Sequence, residues 1–172
     1  TRHKRTGLDG TAQAVLYGYG SYGASMAPSF SSTRLSLINR DIIWVTAHIR
    51  GGMELGMKFW KEGKMLNKKN TFEDYIAVAK FLIKKNYTST GNIIGLGGSA
   101  GGLLMGAVVN QSPELFLGII MAVPFVDSLT TNLDHSLPLT VGELLEFGNA
   151  KDNKKHFDYI YSYAPYNNIK KN

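Results

Sequence analysis

At 172 residues, with 44% hydrophobic and 11% aromatic side chains, the chain has apolar mass for one packed core and fits one domain better than two. It has no cysteine, which excludes a disulfide scaffold and thiolate metal sites and agrees with a reducing, cytoplasmic compartment. The formal charge of +6 is spread over short clusters at Arg2–Arg5, Lys68–Lys69, Lys84–Lys85, Lys154–Lys155 and Lys170–Lys171; no periodicity gathers them beside aromatics, so a solvated surface is expected and a nucleic-acid interface is not.

The chain opens on TRHKRTGLDG, which lacks the apolar core of a signal peptide, and no later run approaches the roughly 18 to 20 apolar residues of a membrane span. The first apolar strand is expected at Ala14–Tyr17, followed by strands at Ile42–His48, Asn92–Leu96 and Leu117–Val123. All four are short and nearly continuous in apolar character, which predicts a parallel sheet covered on both faces. Between the second and third strands, Phe72, Ile76, Ala79 and Ile83 repeat at helical spacing, predicting a helix over 71–85 with Thr71 as N-cap and Asp74 at its third position. A second helix is expected over 99–110, ended by Ser112-Pro113, and two weaker ones over 139–146 and 154–163, the last closed by Ala164-Pro165.

Two glycine clusters carry the chemistry. GLGGSAGG, Gly95 to Gly102, lies between the third strand and its helix and contains G-x-S-x-G centred on Ser99. In such an elbow the serine occupies a strained strand-to-helix turn, so small residues are needed two before and two after it, and Gly97 and Gly101 meet that need. Ser99 is the expected nucleophile. The helix N-terminus, through the Ala100 N–H, faces any charge developing on a carbonyl oxygen. A Walker A loop is excluded, since no Lys-Ser or Lys-Thr follows the glycines.

The earlier cluster, YGYGSYG at Tyr17–Gly23, has the spacing G-x-G-x-x-G at Gly18, Gly20 and Gly23. A nucleotide-binding domain would need a helix opening at the last glycine and an acid ending the second strand. ASMAPSFSS and HIRGG stand there instead, so this alternative is the weaker one, and no cofactor or metal is expected.

YGYGSYGAS, FSSTRLSLINR, HIRGGMELG, KKNTFEDYIAVAKFLI, GGSAGGLLMGAVVNQSPELF, VPFVDSLTTNLD and PLTVGE together resemble, in order and over nearly the whole chain, the catalytic domain of the prolyl oligopeptidase family of serine peptidases, most nearly its oligopeptidase B (protease II) branch. The resemblance implies an α/β-hydrolase fold, incomplete at both ends, with residues 1–172 forming part of the catalytic domain and the β-propeller absent. It implies hydrolysis of short peptides after Arg or Lys through an acyl-enzyme on Ser99. By the same resemblance Tyr19 supplies its phenol as the second oxyanion donor, Tyr22 lies at the substrate pocket wall, and Glu143, with Glu146 as a further acid, receives the cationic side chain. The sequence departs from the branch at Leu145, Ala27 and Ser29, where acids are expected, which weakens the basic preference.

Arg50, Glu54 and Asp127 match family blocks as well. They are read as structural, the first two as a turn held by an ion pair. In this fold the triad acid and histidine follow the nucleophile on later strands, and neither His135 nor His156 lies after a further apolar strand. The chain is therefore expected to be a piece of a peptidase, inactive alone and completed by the remainder. A sheet ending at its fourth strand should expose an apolar edge. The alternative is an inactive remnant or interaction module that keeps the fold.

Overall fold

The computed structural model describes residues 1–170; Lys171, of the last basic pair, lies outside them. Four strands form one parallel sheet in the order β2-β1-β3-β4. They are β1 (Ala14–Tyr17), β2 (Ile43–Thr46), β3 (Ile93–Gly98) and β4 (Phe116–Ala122). Each expected strand is present; β1 has the expected ends, and the ends of the other three move by one or two residues.

Among the described residues seven α-helices accompany them: α1 (Ser32–Ile38), α2 (Met57–Lys61), α3 (Lys69–Lys84), α4 (Ala100–Gln111), α5 (Ser128–Leu133), α6 (Thr140–Phe147) and α7 (Lys154–Tyr161). α4 is buried all round from Ala100 to Val108; α3 buries Phe72 and Ala79 of its expected stripe, with Tyr75 and Leu82, while its Ile76 and Ile83 are partly buried against the same core. Its start differs from the expectation. Thr71 lies inside α3, and its hydroxyl donates to Arg50 O at 2.7 Å and Gly63 O at 3.1 Å, so it ties the helix to two distant turns instead of capping it. Asp74 is likewise taken by Arg50, at 2.6 Å to the guanidinium and 3.0 Å to the backbone N–H. The expected Arg50–Glu54 ion pair is replaced by this one, and Glu54 instead accepts the Met26 N–H at 2.8 Å. Asp127 caps α5 by accepting from the Thr130 N–H.

The two faces of the sheet are covered unequally. On one, Leu16 and Gly95 pair in register, and Tyr75 of α3 and Met105 of α4 close over them; the Tyr75 hydroxyl donates to Leu16 O at 2.6 Å. On the other, α1 lies against β2, and the rest is an open groove of about 790 Å³ whose lining includes Tyr17, Leu37, Trp44, Leu96, Gly98 and Ala122. Tyr17 and Trp44 stack there with ring centroids 6.1 Å apart. β4 forms the outer edge beside β3, with Leu117 55% and Ile120 53% exposed. The expected apolar edge is therefore present in the fold.

Candidate active site

Ser99 sits between the last residue of β3 and the first of α4 with φ 54° and ψ −119°. A side-chain-bearing residue in that region is strained by about 1–3 kcal/mol and persists only where its surroundings hold it. Here they do. The Ser99 N–H donates to Ala122 O at 2.9 Å, and its carbonyl accepts from Gly102 N at 2.8 Å and Phe125 N at 3.1 Å, so the turn is tied into both α4 and the segment leaving β4. A Cβ on Gly97 would overlap the Gly101 carbonyl, and one on Gly101 would come within 2.8 Å of Gly18 O. The small residues flanking the serine are thus required by backbone, as the motif demands. The Ser99 side chain is exposed. Behind it stands the first turn of a twelve-residue helix, whose first two N–H groups, at Ala100 and Gly101, have no carbonyl one turn earlier in the helix to meet and lie at the positive end of its dipole.

The loop after β1 comes to the same end of the sheet. Gly101 stands against Gly18 O and the Tyr19 side chain, which brings the Tyr19 phenol beside the elbow. Burial raises the Tyr19 pKa, while the neighbouring Ser99 hydroxyl acts in the opposite, lesser sense. A phenol that stays protonated is what a hydrogen-bond donor to an oxyanion needs.

The nucleotide reading of this loop fails. After Gly23 the chain runs irregularly until α1 opens at Ser32. The N–H groups of Gly18 and Gly23 are already given to Leu96 O and Gly51 O, so they form no phosphate cradle. The glycines instead permit close packing: a Cβ on Gly18 would lie 2.8 Å from the Tyr75 ring, and one on Gly20, at φ 70°, would collide with Thr71.

Tyr22, the next aromatic of the loop, is 41% exposed and adopts φ 58°. Its ring stands tilted to Tyr19 at 6.3 Å and edge-on to Phe147 at 5.8 Å, forming an aromatic wall beside Ser99 and Tyr19. Its phenol donates to Glu143 Oε1 at 3.3 Å, and its backbone N–H donates to Glu146 Oε1 at 2.9 Å. α6 therefore delivers both expected carboxylates to this loop, but in different settings. Glu146 is buried, with its second oxygen accepting from Trp60 Nε1 at 3.0 Å; it supports the loop from beneath. Glu143 is half-buried, and desolvation raises its pKa, opposed by the Tyr22 hydrogen bond. Leu145, between them in sequence, is 75% exposed and faces away from that support. Ala27 and Ser29 line the open groove on the sheet's bare face.

Lys68 departs from the solvated surface expected of the Lys68–Lys69 cluster. Its ammonium is buried and donates to Gly20 O at 2.6 Å and Ser21 Oγ at 2.7 Å, under the same loop. Burial pushes its pKa down to about 8, against the opposing pull of Glu146. No local pattern marks such a residue, because its partners lie about fifty positions earlier; the only cue is a lysine at the start of an amphipathic helix. Among the described residues no histidine hydrogen-bonds Ser99. His48 bonds Met26 O, and His156 accepts the Asn149 N–H beside Gly148. No group of described residues has metal-ligand character, and no described helix is long and apolar enough to cross a membrane.

Comparison with known proteins agrees with this geometry. The chain is 52% identical over 161 residues to Protease 2 of Moraxella lacunata and 49% identical over 166 residues to dipeptidyl aminopeptidase BI of Pseudoxanthomonas mexicana, covering 94% and 96% of this chain. It superposes on oligopeptidase B from Leishmania major with a TM-score of 0.95 at 47% identity, over 98% of this chain. Oligopeptidase B from Trypanosoma brucei, carrying covalently bound antipain in a closed form, gives 0.95 at 44% identity, again over 98% of this chain. The chain spans 23% of the length of the two curated relatives and 23% and 24% of the two structures. A profile of the prolyl oligopeptidase family matches residues 28–172, and the chain belongs to that family, as part of its α/β-hydrolase catalytic domain.

Proposed function

We propose that this chain carries the nucleophile, the oxyanion donors and part of the substrate pocket of a serine oligopeptidase that cleaves short peptides after Arg or Lys. Ser99 Oγ adds to the scissile carbonyl carbon, and its proton passes to a general base. The developing oxyanion is met by the Ala100 N–H and the Tyr19 phenol. The C–N bond then breaks, the amine leaves with the proton from the base, and water hydrolyses the resulting ester on Ser99. The base and the acid that orients it are assigned to the remainder of a longer polypeptide. That assignment draws support from the share of its relatives that the chain spans.

The observation that carries the reading is the strained Ser99 elbow facing the Tyr19 loop. The basic preference rests on Glu143, which lies at the aromatic wall, its carboxylate bonded among the described residues by an exposed phenol alone, which an incoming cation can replace. Oligopeptidase B from Trypanosoma brucei, to which this chain is similar, carries antipain covalently bound, which supports a covalent step in the proposed chemistry.

The test is labelling by a fluorophosphonate probe of this chain and of the chain extended to the length of its relatives. Labelling of the extended form, abolished by Ser99→Ala, is the expected result. An extended form that folds and resists the probe removes the reading and favours an inactive remnant or interaction module.

A further inference from the structure

The loop that bears Tyr19 has no regular structure of its own, and its glycines at Gly18, Gly20 and Gly23 leave the free chain conformationally loose. A hydrogen-bond donor to an oxyanion is effective only when its position is fixed before the charge develops. Something must therefore hold the loop, and the fold places two buried polar groups directly beneath it. From the α6 side, Glu146 accepts the Tyr22 N–H. From the segment entering α3, the Lys68 ammonium donates to Gly20 O and Ser21 Oγ, the two residues that follow Tyr19. Lys68 is 1% exposed and, among the described residues, forms no ion pair within salt-bridge distance. The ring of Phe147 lies 5.5 Å from its nitrogen, and Glu146 is the carboxylate whose charge it feels.

A buried ammonium is costly to desolvate, and a methionine of similar length would fill the same space without that cost. A charge retained there, with both bonds directed to the backbone and side chain of one loop, is better explained by what it holds than by net stability.

The geometry points to Lys68 as a positioning residue: its bonds to Gly20 and Ser21 fix the loop so that the Tyr19 phenol stands ready for the oxyanion formed at Ser99. The role rests on the serine peptidase reading above. Lys68 touches neither substrate nor Ser99 and acts through Tyr19.

The experiment is a double-mutant cycle in the extended polypeptide, read by kcat and KM on a short arginyl peptide amide, with Lys68→Met, Tyr19→Phe and the pair. Lys68→Met is expected to lower kcat about 10- to 100-fold, up to the loss from removing an oxyanion donor, and to leave KM within about twofold, because substrate binding precedes the charge that Tyr19 meets. In the Tyr19→Phe background the same substitution is expected to change kcat by less than about twofold, since the phenol it positions is already gone. An equal loss in both backgrounds overturns the proposal, as does a rise in KM with kcat unchanged. Should Lys68→Met fail to fold, Ser21→Ala removes one of the two bonds. It carries the same cycle with a few-fold expected loss, and additivity there is equally fatal. A Ser99→Ala enzyme with full turnover would instead remove the peptidase reading itself, so the two failures are distinguishable.

Discussion

Tyr22 gives its backbone N–H to Glu146 at 2.9 Å, and the same carboxylate takes the Trp60 indole N–H at 3.0 Å. One buried acid thus joins the loop after β1, the helix α2 and the helix α6, three elements distant in sequence. The acid nearer the surface, Glu143, is left for the Tyr22 phenol.

Replacing Glu146 by Ala should therefore destabilise the fold by about 2–4 kcal/mol, because it leaves two donors without partners in a buried place. Urea denaturation of the variant beside the parent measures this. A loss under about 0.5 kcal/mol would mean that Glu146 is not holding the three elements.

At position 99 the strain can be weighed directly. Ser99→Gly and Ser99→Ala both delete the hydroxyl, but only glycine adopts φ 54° without a Cβ penalty. Ser99→Gly should be the more stable of the two by about 1–2 kcal/mol, reversing the usual disadvantage of glycine. Equal denaturation midpoints would show that the turn stores no strain.

Lys68 makes stability depend on alkaline pH. Its ammonium loses its proton near pH 8 in the fold, against 10.5 for an unburied lysine. Between those values the unfolded chain holds the extra proton, so raising the pH across this window favours the folded state, and the burial penalty is fully present below pH 8. Buried Tyr75 and Tyr163, whose phenols are pushed upward, act in the opposite direction above about pH 10 but equally in parent and variant. The difference in unfolding free energy between the parent and Lys68→Met should rise in the parent's favour from pH 8 to 10.5, by up to about 3 kcal/mol. Parallel curves would contradict it.

The elements legible in the sequence are those whose signal is local. Ala14–Tyr17 and Ile93–Gly98 read as strands because buried parallel strands are apolar on both sides, and Ser99 reads as an elbow because its flanking glycines are required by backbone a few residues away. Thr71 misleads for the opposite reason: a threonine before an amphipathic stripe looks like a cap, whereas its hydroxyl serves Arg50 and Gly63 across the fold. α1 (STRLSLI) escapes notice because it has no side-chain cap and its polar residues interrupt the stripe. The Asp127 cap of α5 was available as a signal, in an acid three residues before Thr130. In TVGELLEFG nothing local tells that Glu146 is buried and Glu143 half-exposed; only the packing of Trp60 and Tyr22 separates the two settings.

For Glu143, replacement by Gln in the extended polypeptide should lower kcat/KM for an arginyl substrate about 10- to 100-fold, less than a fully buried pair would give because the group is half-exposed, and should spare a neutral substrate. Desolvation raises its pKa, so the advantage of arginyl over neutral substrate should fade as pH drops, beginning above the ordinary carboxylate range. A preference unchanged in Glu143→Gln would place the cation site elsewhere.

The edge at β4 predicts the behaviour of the chain by itself. With Leu117 and Ile120 more than half exposed on an edge strand whose outer side has no neighbouring strand among the described residues, the isolated chain should associate as its concentration rises. Ile120→Lys should reduce that association in light scattering without lowering the unfolding midpoint. A parent that stays monomeric and unfolds cooperatively at high concentration would refute this.

The two tryptophans of the chain stand at two separate places in the fold. Trp44 lies in the groove on the bare face of the sheet, under the Arg34 guanidinium at 4.8 Å. Trp60 is hydrogen-bonded to the acid beneath the Tyr22 loop. Their fluorescence is therefore a pair of separate native gauges, one reporting the state of the groove and the other the seating of the loop after β1, with no label added and each removable by a single Trp→Phe change.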